Sequence, residues 1–295
     1  MTANSVLDLI GNTPIVRINK LVESDDATIV AKVERVNIGG SIKDRIAKYM
    51  IEKAEEEGKL TKNKIILEAT SGNTGIGLAM VAAVKGYKAV LIMPNSVSEE
   101  RRDVIKALGS EVIITNSEEW GAIETAHKII KKNPEKYFYI NQFSNKYNIL
   151  AHYETTGKEI IEQTNGKIDM IIAGIGTGGT IMGVGKRLKE FNPNVKIVAV
   201  EPFAGEVIQG LINMNEYKPS IFDETKIDEK VNVTLKQAEN MARRLAREEG
   251  LFVGISSGAS VHVALKKAKE MGRGKTIVVI LPDLGERYLS NNVFK

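Results

Sequence analysis

The feature that most constrains the fold of this chain is an alternation of short β-branched segments with longer segments of helical spacing. The short segments have the composition of buried strands and are Thr28–Glu34, Lys64–Glu68, Lys88–Met93, Glu111–Thr115, Ile168–Ala173, Lys196–Glu201 and Thr276–Leu281. The helical segments include Ile42–Gly58, Thr74–Gly86, Ser98–Leu108, Gly179–Phe191, Leu235–Gly250 and Gly258–Gly272. The alternation predicts an α/β fold with mostly parallel sheets, in which ligands bind beyond the carboxyl ends of the strands.

Length and charge exclude several classes of protein. The 295 residues are enough for one large domain or for two lobes. The net charge of +4 comes from interleaved basic and acidic residues, so nucleic acid is not expected as a partner. No apolar run is long enough to cross a bilayer, so no membrane association is expected. Residues 1–10 lack the pattern of a secretory signal, which favours a cytoplasmic protein.

The absence of cysteine excludes disulfides, thiolate metal sites and a thiol nucleophile. Three scattered histidines, at positions 127, 152 and 262, form no close-spaced metal motif, so no metal site is predicted. Catalysis would therefore use another nucleophile or a cofactor. The basic cluster Lys128–Lys136 is interpreted as the solvated end of a helix. The segment Phe203–Lys230 interrupts the alternation and is expected to cover or flank a site.

The first of three notable turns is Asn37–Arg45 (NIGGSIKDR). Ser41 is a good helix N-cap, which places Lys43 in the first turn of the following helix. A cation is disfavoured at a helix N-terminus, so the pKa of the Lys43 amine should be depressed, as suits a nucleophile that attacks carbonyl groups. The alternative is that Lys43 only extends its amine to water.

The second turn is Glu68–Gly77 (EATSGNTGIG), between a predicted strand and an apolar helix. Hydroxyls, a side-chain amide and backbone N–H groups converge there at a helix start, which suits a carboxylate or a phosphate. The alternative is an ordinary capped turn. The run of small polar residues Thr70–Thr74 favours the anion site.

The third turn is Gly174–Thr180 (GIGTGGT). Its glycines let the backbone wrap a phosphate, and two threonine hydroxyls add donors. The turn also matches G-x-G-x-x-G, which is typical of nicotinamide dinucleotide sites. Those sites require an acidic residue about twenty residues further on. Glu201 lies farther away, and a dinucleotide would leave the first two turns unexplained.

Two further turns follow predicted strands or precede helices: Gly254–Gly258 (GISSG) and Pro282–Tyr288 (PDLGERY). For Ser256 and Ser257, a role in helix capping is as well supported as a role at a site. For Glu286 and Arg287, a structural ion pair is favoured over catalysis.

Together these segments resemble the cysteine synthase (O-acetylserine sulfhydrylase) family of fold-type II pyridoxal-phosphate enzymes. The resemblance runs from Ile10–Pro14 (IGNTP) to Arg287–Ser290 (RYLS) and keeps the family's order of motifs. It implies two doubly wound, mostly parallel α/β lobes of the tryptophan synthase β type, with pyridoxal 5'-phosphate in the cleft between them. Residues 37–148 would form the smaller lobe with the carboxylate-binding loop. Residues 1–36 and 149–295 would form the larger lobe with the phosphate loop and the serine that faces the pyridine nitrogen.

The resemblance also implies a role for each matching residue. Lys43 would be the catalytic lysine that forms the Schiff base with the cofactor and later moves the α-proton. Asn73 would hydrogen-bond the ring hydroxyl, and Ser256 would face the pyridine nitrogen. The residues matching the phosphate site are Gly176, Thr177, Gly178, Gly179 and Thr180. Those matching the site for the substrate α-carboxylate are Thr70, Ser71, Gly72, Asn73, Thr74 and Gln142.

The implied activity is a β-replacement that converts O-acetyl-L-serine and sulfide, or another sulfur donor, to L-cysteine and acetate. Val207–Asp223 lacks the glycine-rich site wall of A-type enzymes and is similar to the B-type isozyme, whose sites accept larger sulfur donors. O-phosphoserine would require an extra arginine near this segment. None occurs between Phe191 and Val233, where Lys218 is the closest substitute.

Other functions stay open. A cysteine-consuming β-replacement would release hydrogen sulfide and form lanthionine, serine or cystathionine. A catalytically inactive paralogue would only bind ligands, but the intact Lys43, Asn73 and Ser256 count against it. The resemblance implies a homodimer, whereas no feature of the sequence supports serine acetyltransferase as a partner. The sequence does not decide the sulfur donor, or whether O-acetylserine or cysteine is the physiological first substrate.

Overall fold

The computed structural model describes residues 2–116 and 119–295, which divide into two compact units. The smaller unit contains the chain up to Ile10 and Asn37–Asn148, and the larger unit contains Gly11–Val36 and Ile149–Lys295. The family resemblance places residues 1–36 together in the larger lobe, whereas the first ten residues lie in the smaller unit. The side chain of Leu7 is buried there, and its carbonyl accepts a hydrogen bond of 3.1 Å from Lys48 Nζ.

Strands and helices are numbered in chain order over the described residues. The strands are β1 (Ile15–Arg17), β2 (Thr28–Val33), β3 (Ile65–Ala69), β4 (Ala89–Pro94), β5 (Glu111–Thr115), β6 (Tyr137–Tyr139), β7 (Met170–Gly174), β8 (Lys196–Pro202), β9 (Glu229–Val233) and β10 (Thr276–Leu281). The α-helices are α1 (Lys43–Glu56), α2 (Asn73–Lys85), α3 (Glu99–Ala107), α4 (Glu119–Lys132), α5 (Lys146–Ala151), α6 (Gly157–Gln163), α7 (Gly179–Phe191), α8 (Leu235–Glu249) and α9 (Ile255–Met271). Residues His152–Thr156, between α5 and α6, form a π-helical turn.

The smaller unit contains a four-stranded parallel sheet in the order β5-β4-β3-β6. Strand β4 is buried along its whole length, as expected for a central parallel strand with both faces covered. A core of buried apolar side chains, including Leu67, Ile92, Ala122 and Ala126, joins this sheet to α4. The turns after β3 and β6 therefore emerge at one edge of the sheet.

The larger unit contains a six-stranded sheet in the order β1-β2-β10-β7-β8-β9. All neighbouring strands pair in parallel except β1, which pairs antiparallel with β2 at the edge. Its main core packs α8 and α9 on one face through side chains such as Met241, Leu245, Val261 and Ala264. The turn between β7 and α7 and the start of α9 lie in this unit.

The predicted α/β class and the parallel sheets are confirmed. Each predicted strand and helix is present within a few residues of its expected ends. The three strands that the pattern did not predict, β1, β6 and β9, are short or only partly buried, so their apolar alternation is weak. Among the described residues, no helix is both long and apolar enough to cross a membrane.

Candidate active site

Lys43 occupies the first position of α1. The N-cap is Ile42, whose backbone is already helical with φ −57° and ψ −21°, and not Ser41 as the sequence suggested. Ser41 still caps the turn from one residue further back, because its Oγ accepts the N–H of Lys43 at 3.2 Å. The predicted location of Lys43 at a helix N-terminus is therefore correct, and only the identity of the capping residue differs.

Both glycines before this helix are required by the local geometry. The N–H of Gly39 donates to the fully buried carboxylate of Asp44 at 2.7 Å, and a Cβ at position 39 would lie 2.6 Å from the second carboxylate oxygen. Gly40 has a φ of +81°, which a residue with a side chain rarely adopts. The loop is thus locked onto the first turn of α1 directly beside Lys43.

Helices α1 and α2 approach each other closely at Gly77. A Cβ at this position would lie 3.2 Å from the carbonyl oxygen of Lys43 and 3.1 Å from the Cβ of Ala47. The first turn of α1 therefore lies against the second turn of α2. This contact places the start of α1 against the helix that follows the second of the three turns.

The turn Thr70–Asn73 is ordered by its own hydrogen bonds. Thr70 is buried, and its Oγ1 accepts the N–H of Gly72 at 3.1 Å. Helix α2 begins at Asn73 with Gly72 as its N-cap, and no side chain caps it. The first N–H groups of a helix have no acceptor within that helix, and its N-terminus carries partial positive charge. The turn can therefore bind a carboxylate.

Gln142 joins this turn from the end of β6. Its Oε1 accepts the hydroxyl of Thr74 at 2.7 Å, and its Nε2 donates to the carbonyl of Ala69 at 3.3 Å. The fully buried carboxylate of Glu68 accepts the N–H of Asn141 at 2.7 Å and that of Gln142 at 3.3 Å. The structure thus brings all the residues predicted to bind the substrate carboxylate together within the smaller unit.

Sequence reasoning did not single out Arg101, which lies in the first turns of α3. Its side chain is only 6% exposed, and Nη1 donates to the carbonyl of Ser71 at 3.3 Å. A Cβ on Gly72 would lie 2.9 Å from Cδ of Arg101, so only glycine permits this packing. The one cue in the sequence is the i, i+4 spacing of Arg101 and the buried Ile105, which places both on the inner face of α3.

The third turn, in the larger unit, combines close-packed glycines with the start of α7. Gly178 is the N-cap of α7 with a φ of +86°, and a Cβ on Gly176 would lie 2.7 Å from the carbonyl oxygen of Gly210. Thr177 is buried, and its Oγ1 accepts the N–H of Gly179 at 3.4 Å. A glycine that a backbone contact requires, a glycine with positive φ and the first-turn N–H groups of a helix together fit a bound phosphate. The predicted phosphate residues thus lie in the loop before α7 and in the first turn of that helix.

The segment Phe203–Lys230 lies directly against this loop, as its unusual composition suggested. The N–H of Ile212 donates to the carbonyl of Ile175 at 2.8 Å. A Cβ on Gly174 would lie 2.3 Å from the side chain of Leu211, and one on Gly178 would lie 3.1 Å from that of Phe222. The segment therefore packs along one side of the loop and fixes its shape.

Ser256 lies in the first turn of α9, where Gly254 is the N-cap and no side chain caps the helix. Capping is therefore not its role. Its side chain is 5% exposed, and its hydroxyl has no hydrogen-bond partner among the described residues. It lies close to Gly210, whose Cβ position would be 4.0 Å from the Ser256 Oγ. A buried hydroxyl at a helix N-terminus with an unused proton fits a ring nitrogen as acceptor.

The turn Pro282–Tyr288 supports the start of α9. The hydroxyl of Tyr288 donates to Asp283 at 2.8 Å, and the N–H of Gly254 donates to the carbonyl of Asp283 at 3.2 Å. The predicted ion pair of Glu286 is present, but its partner is Arg35 at 2.9 Å.

The sequence and fold agree with known proteins over nearly the whole chain. The family model described as "Pyridoxal-phosphate dependent enzyme" matches residues 6–283. A cysteine synthase from Staphylococcus aureus (strain N315) is 46% identical over 302 residues, which cover 99% of this chain and 97% of that protein.

Two solved structures are similar in fold and sequence. A hydrogen sulfide-producing enzyme from Fusobacterium nucleatum has a TM-score of 0.93 at 44% identity, covering 97% of this chain and 100% of that one. O-ureido-L-serine synthase has a TM-score of 0.93 at 39% identity, covering 100% of this chain and 96% of that one. With the matching family model and the close cysteine synthase relative, these likenesses establish that the chain belongs to the pyridoxal-phosphate dependent enzymes, within the cysteine synthase family.

Proposed function

We propose that this protein catalyses a β-replacement in which sulfide displaces the acetate group of O-acetyl-L-serine. The products are L-cysteine and acetate. The observation that carries the proposal is the position of Lys43 at the start of α1, against the helix that follows the polar turn Thr70–Asn73. When bound, pyridoxal phosphate supplies an electrophilic aldehyde and an electron-withdrawing ring that acidifies the α-carbon of an amino acid.

Lys43 would hold the cofactor through its amine and, once released, accept the α-proton of the substrate. The neutral amine is the form that can act as nucleophile and base. Gln142 would bind the substrate carboxylate. One N–H of its side-chain amide donates to the carbonyl of Ala69, so the second N–H is available to a ligand. Thr70–Thr74 would contribute the remaining donors.

In the larger unit, residues 176–180 would bind the phosphate group, and Ser256 would donate its hydroxyl proton to the ring nitrogen. A hydroxyl is a neutral donor and leaves the ring less electron-withdrawing than a full positive charge would. This suits departure of the β-substituent. In the smaller unit, Asn73 would hydrogen-bond the ring hydroxyl.

The charges near Lys218 support O-acetylserine over O-phosphoserine. Lys218 is exposed, and its Nζ lies 3.7 Å from Glu224. Glu224 also accepts a hydrogen bond from Lys230 at 2.6 Å, and this contact lowers the pKa of the Glu224 carboxyl, which therefore stays ionised. A phosphate would have to compete with this carboxylate for Lys218. We also propose that the protein is cytoplasmic and, from the family resemblance, that it is a homodimer.

The test is a titration of the protein loaded with pyridoxal phosphate. The bound cofactor's absorbance is followed while O-acetylserine, O-phosphoserine or cysteine is added, and sulfide is added last. We expect O-acetylserine to change the spectrum, release acetate and, with sulfide, produce cysteine. Cofactor binding without turnover of any of the three would indicate the inactive paralogue and reject the proposal.

A second candidate function is cysteine-consuming β-replacement, which is favoured by the likeness to the hydrogen sulfide-producing enzyme. The same titration separates the two. If cysteine alone releases sulfide at a rate similar to that of acetate release from O-acetylserine, cysteine is a competent first substrate. The products formed with cysteine or homocysteine as second substrate would then identify the thioether.

A substitution of Arg101 tests whether the turn Thr70–Asn73 binds the substrate carboxylate. We expect Arg101→Lys to raise the KM for O-acetylserine about tenfold, with a smaller change in kcat. The reason is that lysine cannot hold the Ser71 carbonyl with the planar geometry of a guanidinium, so the turn loses its orientation for the carboxylate. Steady-state kinetics and the spectroscopic dissociation constant for O-acetylserine provide the measurement.

The adjacent Arg102 is the matched control. Its guanidinium contacts the carbonyls of Asn95 and Val97 and not the carboxylate turn. Arg102→Lys should therefore leave the KM for O-acetylserine within about twofold of the wild type. If both substitutions raised the KM for O-acetylserine equally, α3 would influence substrate binding only through the overall stability of the protein.

A further inference from the structure

The hydroxyl of Thr180 at the phosphate loop contacts a histidine that neither the sequence motifs nor the proposed mechanism uses. His152 is fully buried, and its Nε2 lies 3.2 Å from Thr180 Oγ1. On the other side of the ring, Nδ1 lies 3.0 Å from Oγ1 of the buried Thr156. The three side chains form a continuous chain of hydrogen bonds within the larger unit that leads to the loop.

The backbone around His152 fixes this chain in place. His152 begins the π-helical turn, which is closed by a hydrogen bond from the N–H of Gly157 to the His152 carbonyl. A Cβ on Gly183 would lie 2.3 Å from the carbonyl oxygen of Ile149 and 2.8 Å from the Cβ of His152. Helix α7 therefore packs directly on this turn. Single π-helical turns within helices occur frequently at functional sites.

The number of protons on each group determines which group donates in each hydrogen bond between Thr156, His152 and Thr180. A threonine hydroxyl has one proton, and a phosphate oxygen can only accept hydrogen bonds. If Thr180 donates its proton to the cofactor phosphate, its oxygen must accept from Nε2–H of His152. A fully buried imidazole is favoured in its neutral form, so Nδ1 then has no proton and accepts from the hydroxyl of Thr156.

We infer that His152 is a positioning residue for the cofactor phosphate. Its Nε2–H donates to Thr180 and so directs the Thr180 proton toward the phosphate, while Nδ1 accepts the hydroxyl proton of Thr156. The inference rests on the proposed function, because it requires pyridoxal phosphate at residues 176–180. It assigns His152 no direct contact with cofactor or substrate.

The test measures cofactor affinity and the ³¹P resonance of bound pyridoxal phosphate. His152→Leu should weaken binding about tenfold, close to the loss of one hydrogen bond to a charged group, and should shift the resonance. For His152→Gln, the affinity should lie within about threefold of the wild type and the resonance should lie near the wild-type shift. The reason is that the amide N–H of glutamine can replace Nε2–H. The exposed His127 provides the control, and His127→Gln should change neither.

A double-mutant cycle separates positioning from a general structural role. If His152 acts through Thr180, His152→Leu should cause no further loss of affinity in a Thr180→Val background. An equal loss in both backgrounds would overturn the inference while leaving the proposed function intact. Failure of the wild-type protein to bind pyridoxal phosphate would instead overturn the proposed function, and the inference with it.

Thr156→Val provides a second test in case His152→Leu does not fold. The variant keeps the shape of the side chain but removes the donor to Nδ1. When Thr180 is present, affinity for pyridoxal phosphate should fall about threefold and the ³¹P resonance should change. In the Thr180→Val background, neither should change further. An unchanged affinity and resonance would reject the chain of hydrogen bonds.

Discussion

Replacing Lys43 with alanine is expected to abolish measurable β-replacement, with a loss of at least about 10²–10⁴-fold from the missing proton transfer alone. The variant also loses the amine that would hold the cofactor. Alanine is well tolerated at the start of a helix, so α1 should remain folded. The rate of cysteine formation from O-acetylserine and sulfide is the measurement, with circular dichroism as the check on folding.

Lys53 lies on the same helix and provides the matched control. It pairs with Glu56 on α1 and has no contact with the polar turn. Lys53→Ala should therefore leave turnover and the cofactor spectrum unchanged. If Lys43→Ala retained β-replacement within tenfold of the wild type, the assignment of the catalytic lysine would be wrong.

Replacing Gly258 with alanine is expected to lower the free energy of unfolding more than any other substitution proposed for this protein. The new Cβ would lie 2.1 Å from the carbonyl oxygen of Ala238 and 2.7 Å from the backbone nitrogen of Ala242. Both are backbone atoms of α8, so helices α8 and α9 must separate. Overpacking of this kind costs about 1–3 kcal/mol or more. The unfolding temperature should fall by several degrees, and cofactor affinity should fall too because Ser256 lies in the same turn of α9.

Gly185 in α7 is the matched glycine for comparison. A Cβ there would lie 3.2 Å from Cγ2 of Ile197 and 3.6 Å from Cγ1 and Cδ1 of the same side chain, and none of these nearest atoms belongs to the backbone. The gain in helix propensity, about 1 kcal/mol, should offset this contact. Gly185→Ala should therefore unfold within about two degrees of the wild type. A similar loss in both variants would show that the α8–α9 contact is not specially tight.

Features of the fold and the site that depend on local sequence patterns could be predicted from the sequence. The alternation of strands and helices predicted both parallel sheets, and the glycines before Lys43 and in the third turn marked positions such as Gly39, Gly174 and Gly176, where neighbouring atoms leave no room for a Cβ. The capping residue of α1 was wrong, because Ser41 can accept the Lys43 N–H from a position before the cap. The individual roles in cofactor and substrate binding stay predictions.

The residues that were missed act through contacts distant in sequence. His152 was dismissed as a scattered histidine, since nothing around it signals a contact with Thr180. The attachment of the first ten residues to the smaller unit includes the hydrogen bond from Lys48 to the Leu7 carbonyl, which no periodicity shows. A charged side chain on a helix is assigned to solvent by default, which is why Arg101 was overlooked.

The position of β10 in the larger sheet has a consequence for how the protein is made. This strand is synthesised after the other nine strands of the described residues, yet it lies between β2 and β7 and pairs in parallel with both. The nascent larger unit therefore exposes two unpaired strand edges until β10 has been synthesised, and such edges promote aggregation. The sheet of the smaller unit lies wholly within residues 65–139 and can form earlier.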